Sequence, residues 1–272
     1  MVMKPVITLL TDFGTRDPFV AEMKAVVLSI CPEATIVDIS HDIEKFNVRQ
    51  GAFVLACAYR YFPKGTIHVV VVDPGVGTER RPIVIKTRNY YFIGPDNGVL
   101  LLAADEDGIE EIREIKNPKY MLPQISTTFH GRDIFAPAAA YIARGVPLRD
   151  FGPELRPSQL TRPRFSTVEV RGNVIEGEVL HIDSFGNVIT NIKAHHLDEI
   201  GIRYGMRLLV KLPDLGIELE VPFVKSYGYV DVGKELSLID SHDFLELAIN
   251  QGSFCSRYGV RVGMRVIITK CD

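Results

Sequence analysis

The chain has 272 residues, of which 46% are hydrophobic and 24% charged, and its formal net charge is −3. That length suits two domains, each with enough apolar side chains to build a core. The near balance of charge removes any bulk electrostatic case for nucleic acid or an anionic membrane as partner.

Met1-Val2-Met3-Lys4-Pro5 leads straight into strand-like sequence with no signal peptide, and no apolar run approaches the ~20 residues of a membrane helix. Cys31, Cys57, Cys255 and Cys271 are scattered, with no C-x-x-C pair to suggest zinc or a redox site. These features predict a reduced, soluble, cytoplasmic protein. Val6 to Leu10 is a short buried strand ending in Thr11-Asp12-Phe13-Gly14-Thr15. Asp17-Pro18 reads as a helix N-cap followed by proline at the first helical position. Val20, Met23, Val26, Val27 and Ile30 then recur at helical spacing until Pro32. Thr35 to Ile39 is a second strand, and it opens into the polar turn Ser40-His41-Asp42-Ile43-Glu44-Lys45-Phe46, where His41 reads as a helix cap. Val48 to Tyr61 is predicted helical, with Phe53, Val54, Cys57 and Tyr61 on its apolar face.

The strand around which the rest is arranged follows. Ile67 and the run Val69-Val70-Val71-Val72 suit a strand buried on both faces, as in a parallel sheet. Asp73 stands at its end, a Pro/Gly turn follows, and Arg80 comes seven residues later. In open α/β sheets ligands bind outside the carboxyl ends of the strands, although Asp-Pro and Gly also make ordinary turns. The G-x-G of Gly75-Val76-Gly77 opens toward a strand and not a helix N-terminus, which argues against a dinucleotide site.

Ile83 to Lys86 and Tyr90 to Ile93 form a hairpin pattern. After the dense turn Gly94-Pro95-Asp96-Asn97-Gly98, the stretch Ser126-Thr127-Thr128-Phe129-His130-Gly131-Arg132-Asp133 gathers His, Arg and Asp around a glycine. An alanine-rich helix over Ile134 to Arg144 follows, with Asp133 as its N-cap. Strands alternating with helices predict an α/β domain with a largely parallel sheet over residues 1–146. Four prolines mark a surface linker over 147–166, and short strands separated by glycine turns predict an all-β domain, an antiparallel barrel or sandwich, over 167–272. His195-His196 reads there as a solvated turn.

Asp73, Arg80 and His130 can together hold and polarise a water molecule. Bulk water is a poor nucleophile at pH 7, so a protein without a metal must position it and stabilise developing hydroxide. Arg80 is the candidate cation, with Asp73 and His130 as proton acceptors or relays. No H-E-x-x-H or tight His/Asp cluster is present, so no metal is expected. Asp12, at the end of the first strand, can accept two hydrogen bonds from a ribose diol or simply cap a turn.

Five ordered motifs, Leu10-Thr11-Asp12-Phe13-Gly14, Ile39-Ser40-His41-Asp42-Ile43, Val72-Asp73-Pro74-Gly75-Val76-Gly77-Thr78, Phe129-His130-Gly131-Arg132-Asp133 and Phe185-Gly186-Asn187, resemble the S-adenosylmethionine (SAM) hydroxide adenosyltransferases. These are relatives of the fluorinating and chlorinating enzymes that use the same substrate. The resemblance implies an N-terminal α/β domain joined to a C-terminal β domain. It also implies a homotrimer with sites between one subunit's first domain and its neighbour's second. The implied reaction is attack of water on the 5′ carbon of SAM, giving adenosine and L-methionine without cofactor or metal. Asp73, Arg80 and His130 would be the water-activating triad, Asp12 would hold the ribose hydroxyls, and Phe46 would pack beside the ribose or base. Asp183 would take the methionine ammonium and Ser241 its carboxylate. Phe185, Asn187 and Tyr227 would line the adenine pocket, with the backbone around Asn250 and Gln251 reading the adenine edge. The halogenating relatives carry an aromatic hydroxyl at the position of Asp73 and hydroxyl residues at those of Val76 and Gly131, and often arginine where this chain has His242. The alternatives are a halogenase and a non-catalytic adenosine or SAM sensor.

Overall fold

A computed structural model describes residues 4–271; the reading of Met1, Val2 and Met3 lies outside the described residues. The chain forms two compact units, one up to Arg162 and one from Pro163 onward.

In the first unit, β1 (Val6–Thr11) is followed by helix α1 (Phe19–Ile30), β2 (Thr35–Ser40), α2 (Val48–Ala58) and β3 (Ile67–Val71). Then come β4 (Pro82–Thr87), β5 (Tyr91–Pro95), α3 (Leu101–Asp107), β6 (Ile109–Glu114) and α4 (Ala136–Ala143). The six strands make one sheet in the order β2-β1-β3-β5-β4-β6. The four strands from β2 to β5 pair in parallel, whereas β4 joins β5 and β6 antiparallel, so the sheet is mixed. The short β4–β5 loop forces one antiparallel pairing, since only a hairpin can join neighbours so closely.

β3 shows why its valines are needed. Val69 and Val71 face a core that includes Met23 and Val27 of α1 and Ala138 and Ala139 of α4. Val70 and Val72 face the opposite core, with Leu55 of α2 and Ala103 and Ala104 of α3. Burying each such side chain contributes ~1.5–3 kcal/mol, and here both faces of one strand collect it. Helix α2 buries Gly51, Ala52, Phe53, Leu55 and Ala56, whereas Tyr61 beyond its end is 71% exposed. Phe53 of the expected face is buried and Val54 and Cys57 are half-buried, while Gly51 lets the helix lie close to Val72 and Val99. Helix α1 begins after Pro18 with no side-chain cap, so Asp17 does not cap it.

His68, on the same strand, has its ring stacked on Phe92 and its Nδ1 2.8 Å from Thr8 Oγ1. Burial pushes its pKa down to about 3. The folded state therefore excludes a proton that the unfolded chain binds near pH 6.5. That stability is fully present above about pH 6.5 and is lost as the pH falls from there toward 3. The urea midpoint should fall between pH 6.5 and 4, and His68→Leu should flatten that fall; an equally steep fall in the variant would remove His68 from the acid response.

The first unit runs past the expected boundary at 146. Phe151, Leu155 and Leu160 are buried in it, and Lys116 N–H and Leu155 N–H pair this segment with the β6 region (Lys116 to Phe151 O at 2.8 Å, Leu155 to Ile112 O at 2.9 Å). The proline-rich stretch is thus packed against the first unit up to Arg162.

The second unit contains β7 (Glu169–Arg171), β8 (Val174–Ile182), β9 (Val188–Lys193), α5 (Ala194–Glu199), β10 (Arg207–Leu212) and β11 (Ile217–Pro222). It closes with β12 (Glu235–Ile239), β13 (Phe244–Ile249), α6 (Phe254–Tyr258) and β14 (Arg265–Lys270). All strand pairings are antiparallel, in the order β11-β10-β14-β8-β9-β13-β12, with β7 on β8. A bridge between Phe223 and Ser237 brings the end of β11 back toward β12, so the sheet is a nearly closed barrel. His195 and His196 lie in α5, where His196 Nδ1 accepts from Lys193 N–H at 2.9 Å, so they are helical and not a solvated turn. Among the described residues no helix is long and apolar enough to cross a membrane.

Candidate active site

β1 and β3 are parallel neighbours with Thr11 opposite Val71, so the carboxyl ends of both strands deliver an aspartate to one edge of the sheet. Asp12 is 6% exposed, and its Oδ2 accepts from the Phe46 N–H at 2.8 Å. Its carbonyl accepts from Lys45 Nζ. Phe46 is held at φ 67°, a left-handed conformation that a phenylalanine adopts at a cost, and the residue is 69% exposed. An aromatic ring strained into place and left open to solvent beside a carboxylate is suited to cover a ligand.

Asp73 and Arg80 fold back on each other across the turn after β3. Arg80 Nε donates to Asp73 Oδ1 at 3.0 Å and Oδ2 at 2.9 Å, and a terminal nitrogen, Nη2, also donates to Oδ2. Their side chains are only 4% and 9% exposed. The same Nη2 lies 2.8 Å from His130 Nδ1. Arginine has only donors, so Nδ1 must accept and the proton of the neutral ring sits on Nε2. Burial, reinforced by the Arg80 charge, holds the His130 pKa below its usual value. The expected triad is therefore brought together, with a refinement. Nδ1 of His130 is already occupied as the acceptor of the Arg80 donor.

His130 directly precedes a π turn over Gly131–Phe135 that leads into α4. Asp133 lies inside that turn, fully buried, and does not cap α4; its carboxylate accepts from Ser126 N–H at 2.7 Å and Arg132 Nε at 2.7 Å. Arg132 in turn reaches Glu22 of α1 at 2.7 Å. This network holds the loop carrying His130, and Asp133 serves it better as an internal acceptor than at a helix end. A Cβ on Gly131 would stand 3.2 Å from Met23 Sδ and 3.3 Å from Phe129, so the position has little room for a side chain.

These parts surround a pocket of about 260 Å³ lined by Asp12, Phe13, Asp17, Phe19, Lys45, Phe46, Val71, Asp73, Val76 and residues 128–131. Asp73 and His130 face it, whereas Arg80 stands behind them, against the Phe135 ring at 5.3 Å. Arg80 thus hydrogen-bonds both groups from outside the pocket lining. Among the described residues no group of three His, Cys, Asp or Glu side chains could hold a metal ion.

The second unit carries the other expected residues. Asp183 Oδ1 accepts from Phe185 N–H and Asn187 N–H, both at 2.9 Å, and Oδ2 accepts from Asn187 Nδ2 at 3.0 Å. That turn leaves Phe185 76% exposed, and Asn187 buried. Tyr227 O–H donates to Glu246 at 2.7 Å. Glu246, absent from the expectations above, is 4% exposed, and burial raises its pKa to about 7, with Asp183 and Asp240 adding to the rise. Its one sequence signal is a charge in the middle of the otherwise apolar strand β13. Ser241 and His242 follow Asp240, whose Oδ1 accepts from His242 N–H at 2.8 Å. Asn250 commits its N–H to Lys234 O at 3.0 Å and its carbonyl to Gly233 N–H at 2.8 Å. Its own backbone donor is thus already used, while Gln251 beside it is held at φ 53°.

Family models described as the SAM hydroxide adenosyltransferase N-terminal and C-terminal domains match residues 7–152 and 177–267. The chain is 38% identical to the (R)-S-adenosyl-L-methionine hydrolase of Salinispora tropica, over 99% of both chains. It is 31% identical to a fluorinase from an Actinoplanes species, over 98% of both. A crystal structure of an uncharacterized conserved protein from Thermotoga maritima superposes with a TM-score of 0.82 at 40% identity, covering 97% of this chain and 99% of that one.

Proposed function

The chain belongs to the SAM hydroxide adenosyltransferase family, and we propose that it hydrolyses SAM to adenosine and L-methionine. The observation that supports this reading is the Asp73 carboxylate, held by Arg80 and facing a pocket that also contains His130 and Asp12. A water between Asp73 and the His130 Nε2–H would be oriented by the donor and relieved of its proton by the carboxylate. Its oxygen forms a bond to C5′ as the C5′–S bond breaks, and the electron pair leaves on sulfur. The sulfonium departs as a neutral thioether, so no acid is needed for the leaving group. The proton passes to Asp73 and then to solvent. Asp12 would bind the ribose hydroxyls, with Phe46 packed over the sugar or base. As the resemblance implies, a neighbouring copy would bring Asp183, Ser241 and His242 to the methionine end, and Phe185, Asn187, Tyr227 and the backbone near Asn250 and Gln251 to the adenine. No cofactor or metal enters this scheme.

Halide transfer is the weaker reading, because a carboxylate facing the pocket repels an anion. A pocket of about 260 Å³ falls below the ~300–1,000 Å³ of most small-molecule sites. The lining leaves room for a neighbouring copy to complete the cover, and the assembly is taken to be a homotrimer, as the resemblance implies, working in the cytoplasm. The test is incubation with SAM in ¹⁸O-labelled water containing chloride. The expected products are methionine and adenosine labelled at its 5′ oxygen. A 5′-chlorinated nucleoside would favour the halogenase, and tight adenosine binding without turnover would favour a sensor.

A further inference from the structure

The stretch Ile39-Ser40-His41-Asp42-Ile43 has no part in the chemistry above, yet His41 is only 6% exposed and makes contacts through both ring nitrogens. Its Nδ1 lies 2.8 Å from Thr11 Oγ1, and its Nε2 lies 3.1 Å from Asp38 Oδ1. Thr11 Oγ1 already accepts the Phe13 N–H at 3.2 Å, so its own proton is available for His41 Nδ1. The ring proton then belongs on Nε2, facing Asp38. Asp38 is fixed in turn by Lys24 of α1 at 2.6 Å. Burial opposes ionisation of Asp38, but Lys24 and His41 outweigh it and hold its carboxyl below the ordinary value. Meanwhile the His41 carbonyl accepts the Gly14 N–H at 2.7 Å.

His41 therefore grips the chain on both sides of Asp12: its side chain holds Thr11 and its carbonyl holds Gly14. The loop that begins at His41 returns at Phe46 to donate its N–H to Asp12. Of its two buried ring nitrogens, Nδ1 is hydrogen-bonded to Thr11, whereas Nε2 stands at ion-pair distance from Asp38 without an aligned hydrogen bond. We propose that His41, bridging Thr11 and Asp38, is a positioning residue that sets the Asp12 carboxylate and the Phe46 ring for the ribose of the substrate. It does not touch the reacting atoms, which lie with Asp73 and His130. The inference rests on the reading of Asp12 as the ribose ligand.

Three variants test it. Thr11→Val removes one hydroxyl at nearly constant volume, His41→Phe removes both ring contacts, and His41→Asn restores an acceptor for Thr11. Loss of one such hydrogen bond should raise KM for SAM by about tenfold in the first two, with kcat within about threefold of the parent. His41→Asn should recover most of the KM. In the unliganded protein, amide exchange over residues 41–47 should speed up in Thr11→Val and His41→Phe and return toward the parent in His41→Asn. Parent-like KM and exchange in all three would overturn the proposal, and so would faster exchange with unchanged KM. If the parent neither binds adenosine nor turns over SAM, the proposed function fails, while the exchange data still decide whether His41 holds the loop. Should the buried variants fail to fold, Asp38→Asn at the exposed end of the bridge replaces them. A raised KM with faster exchange in that variant supports the proposal, and an unchanged KM overturns it.

Discussion

Asp73→Asn is expected to lower kcat for SAM hydrolysis by about 10²–10⁴-fold, the usual worth of a positioned proton acceptor, while adenosine affinity stays within a few-fold. The substitution preserves volume at a side chain only 4% exposed and keeps an oxygen for Arg80 Nε, so the fold should survive. What it removes is the charge that accepts the water proton. It also turns an N–H₂ group toward the Arg80 terminal nitrogen, placing donor against donor. Because Arg80 also donates to His130 Nδ1, His130 cannot substitute as the base by accepting at that nitrogen. Single-turnover rates with SAM and calorimetric binding of adenosine measure the two halves separately. A variant with parental turnover would take Asp73 out of the mechanism, and one that loses adenosine binding to the same extent would make its role structural.

Gly77→Ala should disable the same site by a different route. Gly77 sits at φ 76°, and a Cβ there would lie 2.2 Å from the Thr127 carbonyl oxygen. No rotamer change relieves a clash between two stretches of backbone. The turn holding Arg80 and the loop holding His130 must then separate, and the Arg80–His130 bond is the first casualty. A left-handed alanine alone costs ~1–2 kcal/mol, and the clash adds to it. The expected result is a melting temperature lower by at least about 5 °C, with turnover reduced about as far as in Asp73→Asn. Thermal melts read the first effect and SAM turnover the second. A variant with parental stability and activity would show that the two loops need not touch.

Several parts of the site could be read from residues in order. The valine run of β3 declared a strand buried on both faces, and its two cores bear that out residue by residue. Asp73 and Arg80 are close in sequence, so a single turn sufficed to suggest that they meet. Asp12 was legible because β1 repeats the pattern of buried strand, acid and glycine turn. Other features had no local signature. Nothing in the run from Phe129 to Asp133 announces a π turn, and Asp133 was placed as a cap because its partner at Ser126 depends on how the loop folds back. The segment after residue 146 has the composition of a linker, but its buried Phe151, Leu155 and Leu160 show that sparse apolar side chains are enough to fasten a strap.

By itself the sequence determined the family, the strand ends that bear the acidic groups, and the residue types available for water activation, since these follow from motif order and from the continuous apolar runs of strands buried on both faces. Only the tertiary structure decided which group stands in front. It placed Arg80 behind Asp73 and His130, assigned the His130 proton to Nε2, and joined His41 to the Asp12 loop. The physical reason is that hydrogen-bond direction and layer depend on distances between side chains up to fifty positions apart, as from Arg80 to His130, and no spacing along the chain encodes those distances.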